Sequence, residues 1–210
     1  FIFKDSIAEE EFLVSKEHRK VEWLKLSQKV KKTKNPQKKD QLTIYEKNKE
    51  IIDEFHALCL DLGRVPVTSE FDFSDQIKRI FGSIKKAYGF LIDQHGNDLF
   101  KQARQVRVED LKVYFALSFF SKRKPLVKMP SSLKHDIKEF FGSYTDALEK
   151  SKDLLFSVGK PEVILKACKY TANELKIGLL EEGHNLQLHV SQLHQLPAVL
   201  RVYAGCATPL

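Results

Sequence analysis

An internal repeat is the feature that most limits how this chain can fold. Six residues of one short segment recur sixty positions later with the same spacing. The matched pairs are Ile77 and Ile137, Lys78 and Lys138, Phe81 and Phe141, Gly82 and Gly142, Ser83 and Ser143, and Ala87 and Ala147. Each copy joins the apolar end of one helix to a glycine that tolerates a left-handed turn and a serine that can cap the next helix. The pattern predicts two copies of a helix, a tight turn and a second helix.

A third helix is predicted ahead of each turn, because apolar residues and a proline precede both copies. These residues are Phe55, Leu58, Leu62 and Pro66 before the first turn, and Phe115, Leu117, Phe120 and Pro125 before the second. Tandem copies of such a unit would each bury the apolar face that the other leaves exposed. The predicted fold class is mainly α, with two tandem three-helix, helix-turn-helix-like repeats and a small C-terminal strand-helix segment.

Turn and breaker residues divide the chain into four predicted segments. Residues 1–40 form a trailing strand and a basic helical arm, residues 41–95 the first repeat, residues 96–157 the second, and residues 158–210 a helical segment with one short strand. The first helix of the first repeat is predicted to end at Gly63, and Thr68 or Ser69 to cap the next one. Pro161 is expected to start a helix, and alternation over residues 186–190 predicts the strand.

Positive charge is concentrated in the N-terminal arm. Twelve Lys or Arg residues and four Asp or Glu residues lie from Lys16 to Lys49, a net charge of +8, whereas the whole chain carries +7. Such a stretch is typical of proteins that contact phosphates. A solvated, extended linker has the same composition, so the sequence leaves both interpretations open. The predicted DNA-binding residues of the arm are Lys29, Lys31, Lys32, Lys34, Lys38 and Lys39.

Basic residues also surround the first Phe-Gly-Ser turn. In helix-turn-helix units, residues that open the second helix reach DNA, and the N-terminus of that helix attracts phosphate. The second copy has Thr145 and Asp146 in place of Lys85 and Lys86, so DNA contact is predicted for the first copy. A solvated helix face would explain these lysines as well. The predicted DNA-binding residues here are Arg64, Lys78, Arg79, Lys85 and Lys86.

No catalytic site is recognised in the sequence. It has no Gly-rich phosphate loop, Asp-rich metal motif or nucleophile elbow. Three histidines, His184, His189 and His194, follow one another at intervals of five residues, which is not the spacing of zinc ligands. We therefore predict no metal site, and the sequence leaves open whether the protein is an enzyme.

Cysteine usage and hydropathy predict a cytoplasmic protein without a membrane partner. Cys59, Cys168 and Cys206 are odd in number and form no C-x-x-C pair, which is typical of reduced thiols. No apolar run is long enough to span a membrane, and no secretory leader is recognised. The chain begins with Phe1-Ile2-Phe3 and lacks an initiator Met, so we expect an excised piece whose first residues are the last strand of a preceding sheet.

Five segments carry a resemblance to a known family: residues 1–5, 58–66, 109–117, 133–144 and 188–207. The most specific is the closing run Leu-Pro-Ala-Val-Leu-Arg-Val-Tyr-x-Gly-Cys-Ala over residues 196–207. In these segments the chain resembles the methyltransferase family associated with bacterial DNA phosphorothioation. The resemblance implies a region that follows the S-adenosylmethionine-binding domain. Separately, Gly63-Arg64-Val65-Pro66 followed by Phe81-Gly82-Ser83 is similar to small helical repeats beside nuclease domains, which implies DNA binding by analogy.

The resemblance leads to two hypotheses about function. The cofactor loop and the methyl-transfer motif of the family are not among these residues, so no catalytic residue is carried over and S-adenosylmethionine is expected only in the parent protein. The preferred hypothesis is a non-catalytic accessory region of a DNA-modification protein that assists binding of duplex DNA. The alternative is a protein-interaction scaffold within the DNA modification and defence machinery, with residues 1–3 and 196–207 as contact surfaces. The sequence does not give the oligomeric state.

Overall fold

A computed structural model of the chain describes residues 44–120 and 125–207, and these are mainly helical. Residues 44–47 are helical, and the α-helices described at both ends are α1 (Lys49–Leu62), α2 (Ser74–Phe81), α3 (Ile84–His95), α4 (Asn97–Ser118), α5 (Ser131–Phe141), α6 (Tyr144–Ser157), α7 (Pro161–Asn173) and α8 (Ala198–Ala207). Short 3-10 helices cover Thr68–Glu70, Leu126–Lys128 and Val190–Gln195. The predicted mainly α fold class is confirmed, whereas the tandem-repeat organisation stays a prediction.

The described residues contain one small sheet, an antiparallel hairpin. Strand β1 (Leu179–Glu181) pairs with β2 (Asn185–Gln187), with Leu180 opposite Leu186. The sequence predicted a strand at residues 186–190, and β2 overlaps its first part. The rest of that segment enters the 3-10 helix at Val190, because the His189 side chain accepts a hydrogen bond from the Ser191 N–H and caps it.

The chain divides into two compact units. Among the described residues, one unit covers 44–107, and the other covers 108–120 and 125–207. The division falls inside α4, between Arg107 and Val108. The sequence predicted a turn at Gly96 and Asn97 and separate helices over 99–105 and 109–121. The turn is present at Gly96, which ends α3 with a φ of +83°, but α4 begins at Asn97 and continues to Ser118, since no glycine or proline interrupts it.

In the unit of residues 44–107, α1 to α3 and the start of α4 share one apolar core. Phe55 and Ile77 are fully buried there. As predicted, α1 ends at Gly63, whose φ of +62° is left-handed. A Cβ on Gly63 would lie 2.9 Å from both the Ala103 carbonyl oxygen and the Arg104 Cα, so the α1 terminus approaches α4 too closely for a side chain. The predicted cap at Thr68 or Ser69 is wrong, because α2 begins at Ser74 and these residues form a separate 3-10 turn.

In the unit of residues 108–207, the closing sequence run leads into α8, and Leu200, Arg201 and Val202 of this helix are buried. The Arg201 guanidinium donates a 2.6 Å hydrogen bond to Asp110, and the two side chains are 2% and 4% exposed. Val202 is fully buried, and a Cβ on Gly205 would lie 2.6 Å from a methyl carbon of Leu117. The distinctive residues of this run therefore hold α8 within its own unit.

Candidate nucleic-acid interface

The first Phe-Gly-Ser turn joins α2 to α3. Gly82 adopts a left-handed φ of +81°, and its N–H donates to the Lys78 carbonyl oxygen at 2.7 Å. Ser83 is extended, and its hydroxyl oxygen accepts a hydrogen bond from the Lys86 N–H at 3.1 Å. Thus glycine ends one helix and serine caps the next, as the sequence predicted.

Apolar contacts fix the position of this turn in the core of its unit. Ile77 on α2 and Ala87 on α3 are 0% and 1% exposed. The rings of Phe81 and Phe90 are tilted against each other with centroids 4.9 Å apart. Because both helices are held from the buried side, the polar residues between these positions are left facing solvent.

Four basic residues lie around the turn, and three of them are exposed: Arg79, Lys85 and Lys86. Within the described part of the chain, no carboxylate pairs with these three side chains. Lys78 is half-buried and forms a 3.2 Å ion pair with the exposed carboxylate of Asp75. Such a solvent-exposed pair is weak, so a phosphate can displace the carboxylate at little cost.

The N-terminus of α3 adds its own positive potential to this surface. Its first turn contains no acidic residue. The free N–H groups of a helix N-terminus carry a partial positive charge that favours anions. We call Arg79, Lys85, Lys86 and the first turn of α3 the basic turn surface.

The second Phe-Gly-Ser turn, between α5 and α6, has similar backbone geometry and opposite charge. Gly142 has a φ of +82°, and the Ser143 hydroxyl accepts from the Asp146 N–H at 3.1 Å. The same hydroxyl donates to the Asp146 carboxylate at 2.8 Å. Asp146 therefore places a negative charge where the basic turn surface has Lys86, which disfavours phosphate.

Arg64 is buried in an ion pair and is not exposed on the surface. Its guanidinium forms two hydrogen bonds of 2.7 Å with the two carboxylate oxygens of Glu70, and its side chain is 3% exposed. Glu70 also accepts from the Val67 N–H at 2.9 Å. Arg64 thus organises the loop between α1 and α2, and we leave it out of the basic turn surface.

The six predicted lysines of the N-terminal arm lie outside the described residues. They are Lys29, Lys31, Lys32, Lys34, Lys38 and Lys39. Their contribution to DNA binding stays a prediction from the sequence.

The three C-terminal histidines occupy different environments. His184 and His189 are exposed, with local contacts to Glu182 and Ser191, whereas His194 is buried. Across residues 44–120 and 125–207, no three His, Cys, Asp or Glu side chains are grouped to hold a metal ion.

All three cysteines are free thiols, and burial raises the pKa of Cys59, Cys168 and Cys206. A raised pKa keeps these thiols protonated and weakly nucleophilic.

In the part of the chain that the structure describes, no helix has the length and apolar character needed to cross a membrane.

The sequence analysis did not identify the carboxylates that pair with two of the predicted DNA-binding residues, Lys78 and Arg64. Asp75 lies three residues before Lys78, and this helical spacing could have been recognised. Glu70 lies six residues after Arg64 across an irregular loop, and no periodic signal marks that pair.

Comparisons with protein-family models, curated proteins and solved structures give no match.

Proposed function

We propose that this chain is a helical accessory region of a DNA-modification protein and that it assists the binding of duplex DNA. One observation carries the proposal: three exposed basic side chains without carboxylate partners in the described residues, Arg79, Lys85 and Lys86, border the acid-free N-terminus of α3. Lysine and arginine contacts to phosphates give affinity that is largely independent of sequence and falls with salt.

The family resemblance supplies the wider setting of the proposal. The DNA-phosphorothioation methyltransferase family implies a parent protein that binds S-adenosylmethionine in another domain and acts on DNA. Under this proposal, the chain contributes DNA affinity and the parent contributes catalysis. The proposal places the protein in the cytoplasm, in keeping with three free thiols.

The scaffold alternative has a different observation in its favour. Phe156, Tyr170 and Tyr203 are 70%, 50% and 50% exposed, and exposed aromatic residues are enriched at protein interfaces. Tyr203 belongs to the segment 196–207, which the sequence suggested as a contact surface, but the rest of that segment offers less apolar surface than expected. Its apolar residues Leu196, Leu200 and Val202 are buried in their own unit.

Charge reversal on the basic turn surface tests the DNA-binding proposal. We would titrate a fluorescently labelled duplex with the wild-type chain and with the double variant Lys85→Glu, Lys86→Glu at two salt concentrations. We expect wild-type binding at low salt and weakening at high salt. The double variant should lose about tenfold or more in affinity, because two attractive phosphate contacts become repulsive.

A matched control carries the same charge change on α7, where Lys166 and Lys169 are also exposed. Lys166→Glu, Lys169→Glu should bind DNA more tightly than Lys85→Glu, Lys86→Glu. Equal losses in both variants would show a response to net charge alone, and absence of wild-type binding at low salt would contradict the proposal. Reversing Lys31, Lys32, Lys38 and Lys39 measures the contribution of the arm in the same assay.

A further inference from the structure

Two histidines are stacked inside the unit of residues 44–107. His56 on α1 and His95 at the end of α3 have ring centroids 4.0 Å apart and an angle of 16° between the ring planes. Phe100 of α4 contacts the His56 ring with a centroid distance of 5.6 Å. His56 is 3% exposed, so its imidazole belongs to the apolar core.

Neither imidazole is fully satisfied by hydrogen bonds. The His56 Nε2 and the His95 Nδ1 atoms are buried and have no hydrogen-bond partner among the described residues. Buried polar atoms are nearly always paired, because an unpaired one loses its hydration without compensation. The two unpaired nitrogens therefore offset part of the stability gained by packing the neutral rings, and a proton on either ring would add a buried charge.

The stacked geometry is unsuited to joint metal binding. Because the two ring planes are nearly parallel and the ring centroids are 4.0 Å apart, the nitrogen lone pairs lie in two separate planes and do not converge on one ion at about 2 Å. Within the described residues, no third ligand completes such a group. Proton binding is the remaining chemistry for this pair.

The charged groups around the stack give little support to a protonated ring. Asp53 on α1 favours protonation of His95, but it accepts a 2.5 Å hydrogen bond from the Tyr45 hydroxyl. On α4, the exposed Asp98 and Lys101 pair with each other at 3.6 Å. His95 is the last residue of α3, where the helix dipole also favours a proton to a small extent.

We propose that the His56–His95 stack is a proton-sensitive latch, which holds α1 against α3 at neutral pH and releases them when the imidazoles are protonated. Both helices belong to the same core, and each contributes one ring to the stack. The latch does not depend on DNA binding, although α3 also carries Lys85 and Lys86.

Proton linkage gives the sign of the effect. Burial first, and then the positive charge that a protonated His95 would carry, lower the pKa of His56 from 6.5 to about 3. Burial also lowers the pKa of His95. Between the two pKa values of His56, about 3 in the folded chain and 6.5 in the unfolded chain, the unfolded chain binds more protons than the folded one. The folded state therefore loses stability as pH falls below 6.5. His56 alone raises the unfolding constant by about tenfold per pH unit within this window, and the lowered pKa of His95 adds an effect of the same sign.

The first test follows urea unfolding by circular dichroism from pH 7 to pH 4. The wild-type chain should lose stability over this range, and His56→Phe, which keeps an aromatic ring in the stack, should show a shallower pH dependence. The double variant His56→Phe, His95→Phe should be shallower still. His184→Gln, which removes an exposed histidine, should follow the wild type. An unchanged pH dependence in the double variant, or an equal change in His184→Gln, would overturn the proposal.

A second measurement avoids substitutions altogether. Imidazole nitrogen NMR on the wild-type chain reports the protonation state of each histidine while the fold is intact. The imidazoles of His56 and His95 should stay neutral until the protein unfolds. If all imidazoles instead became protonated near pH 6.5 with the fold intact, the latch would be excluded.

Discussion

Arg64 and Arg201 are both buried guanidinium groups, and each is bonded to a carboxylate. Arg64 donates to Glu70 through two hydrogen bonds, and Arg201 donates to Asp110. Taking a charge out of water is costly, so a buried ion pair gives little net stability, while losing one partner strands the other. At the scale of single residues, burial decides which cations are structural and which remain available to a ligand.

Substitution of Arg201 should be strongly destabilising. Arg201→Met removes the cation and leaves Asp110 buried, which typically costs about 3–5 kcal/mol in the free energy of unfolding. Urea denaturation of the variant measures this loss. The double variant Arg201→Met, Asp110→Leu should recover much of it, since the buried carboxylate that loses Arg201 is removed as well. A loss below about 1 kcal/mol for Arg201→Met would contradict the interpretation of the pair.

The sequence did not separate Arg64 from the exposed cations. Arg64 follows a helix-ending glycine, as a surface cation near a turn would, and only the folded loop brings Glu70 to it. Lys85 and Lys86 were easier to place, because Ile77, Ala87 and the Phe-Gly-Ser turn fix which side of the helices is buried. The His56–His95 stack had no sequence signal, since the two residues lie on different helices.

At the scale of helices and turns, positive-φ glycines have different consequences according to what lies beside them. A Cβ on Gly63 would meet the α4 backbone at 2.9 Å, whereas a Cβ on Gly82 would meet only the flexible Lys86 side chain, 3.8 Å away. Both glycines end a helix in the left-handed region. Only at Gly63 is conformational strain combined with a collision.

This difference predicts the effect of alanine at the two sites. Gly82→Ala should cost about 1–2 kcal/mol, which is the usual penalty of a left-handed alanine. Gly63→Ala should cost about 2–4 kcal/mol, because a backbone displacement in α4 adds to that strain. Thermal or urea unfolding of the two variants measures both values. Equal losses would show that the close approach of α1 to α4 is unimportant.

Helices were largely predictable from the sequence, and their boundaries less so. Gly63, Gly82 and Gly142 end helices as predicted, because the left-handed turn favours a residue without a Cβ. Pro161 begins α7 as predicted. The predicted break in α4 between residues 105 and 109 is wrong, since the helix continues through them without a glycine or proline. Strand β1 was missed, because three residues with one half-buried position show little periodicity.

For the molecule as a whole, charge distinguishes the two Phe-Gly-Ser turns more than backbone geometry does. Both turns have a left-handed glycine and a serine cap, but one presents Lys85 and Lys86 and the other Asp146. A net charge of +7 favours polyanions in general, so net charge alone does not identify a binding surface. The proposed function requires that the basic turn surface contribute specific phosphate contacts.

The salt dependence of duplex binding tests this requirement most directly. The slope of the logarithm of the association constant against the logarithm of salt concentration reports phosphate contacts, at about 0.9 per contact. The account predicts that Lys85→Ala, Lys86→Ala lowers the magnitude of this slope by about 2 relative to wild type, and that Lys166→Ala, Lys169→Ala leaves it nearly unchanged. An unchanged slope in Lys85→Ala, Lys86→Ala would contradict the account.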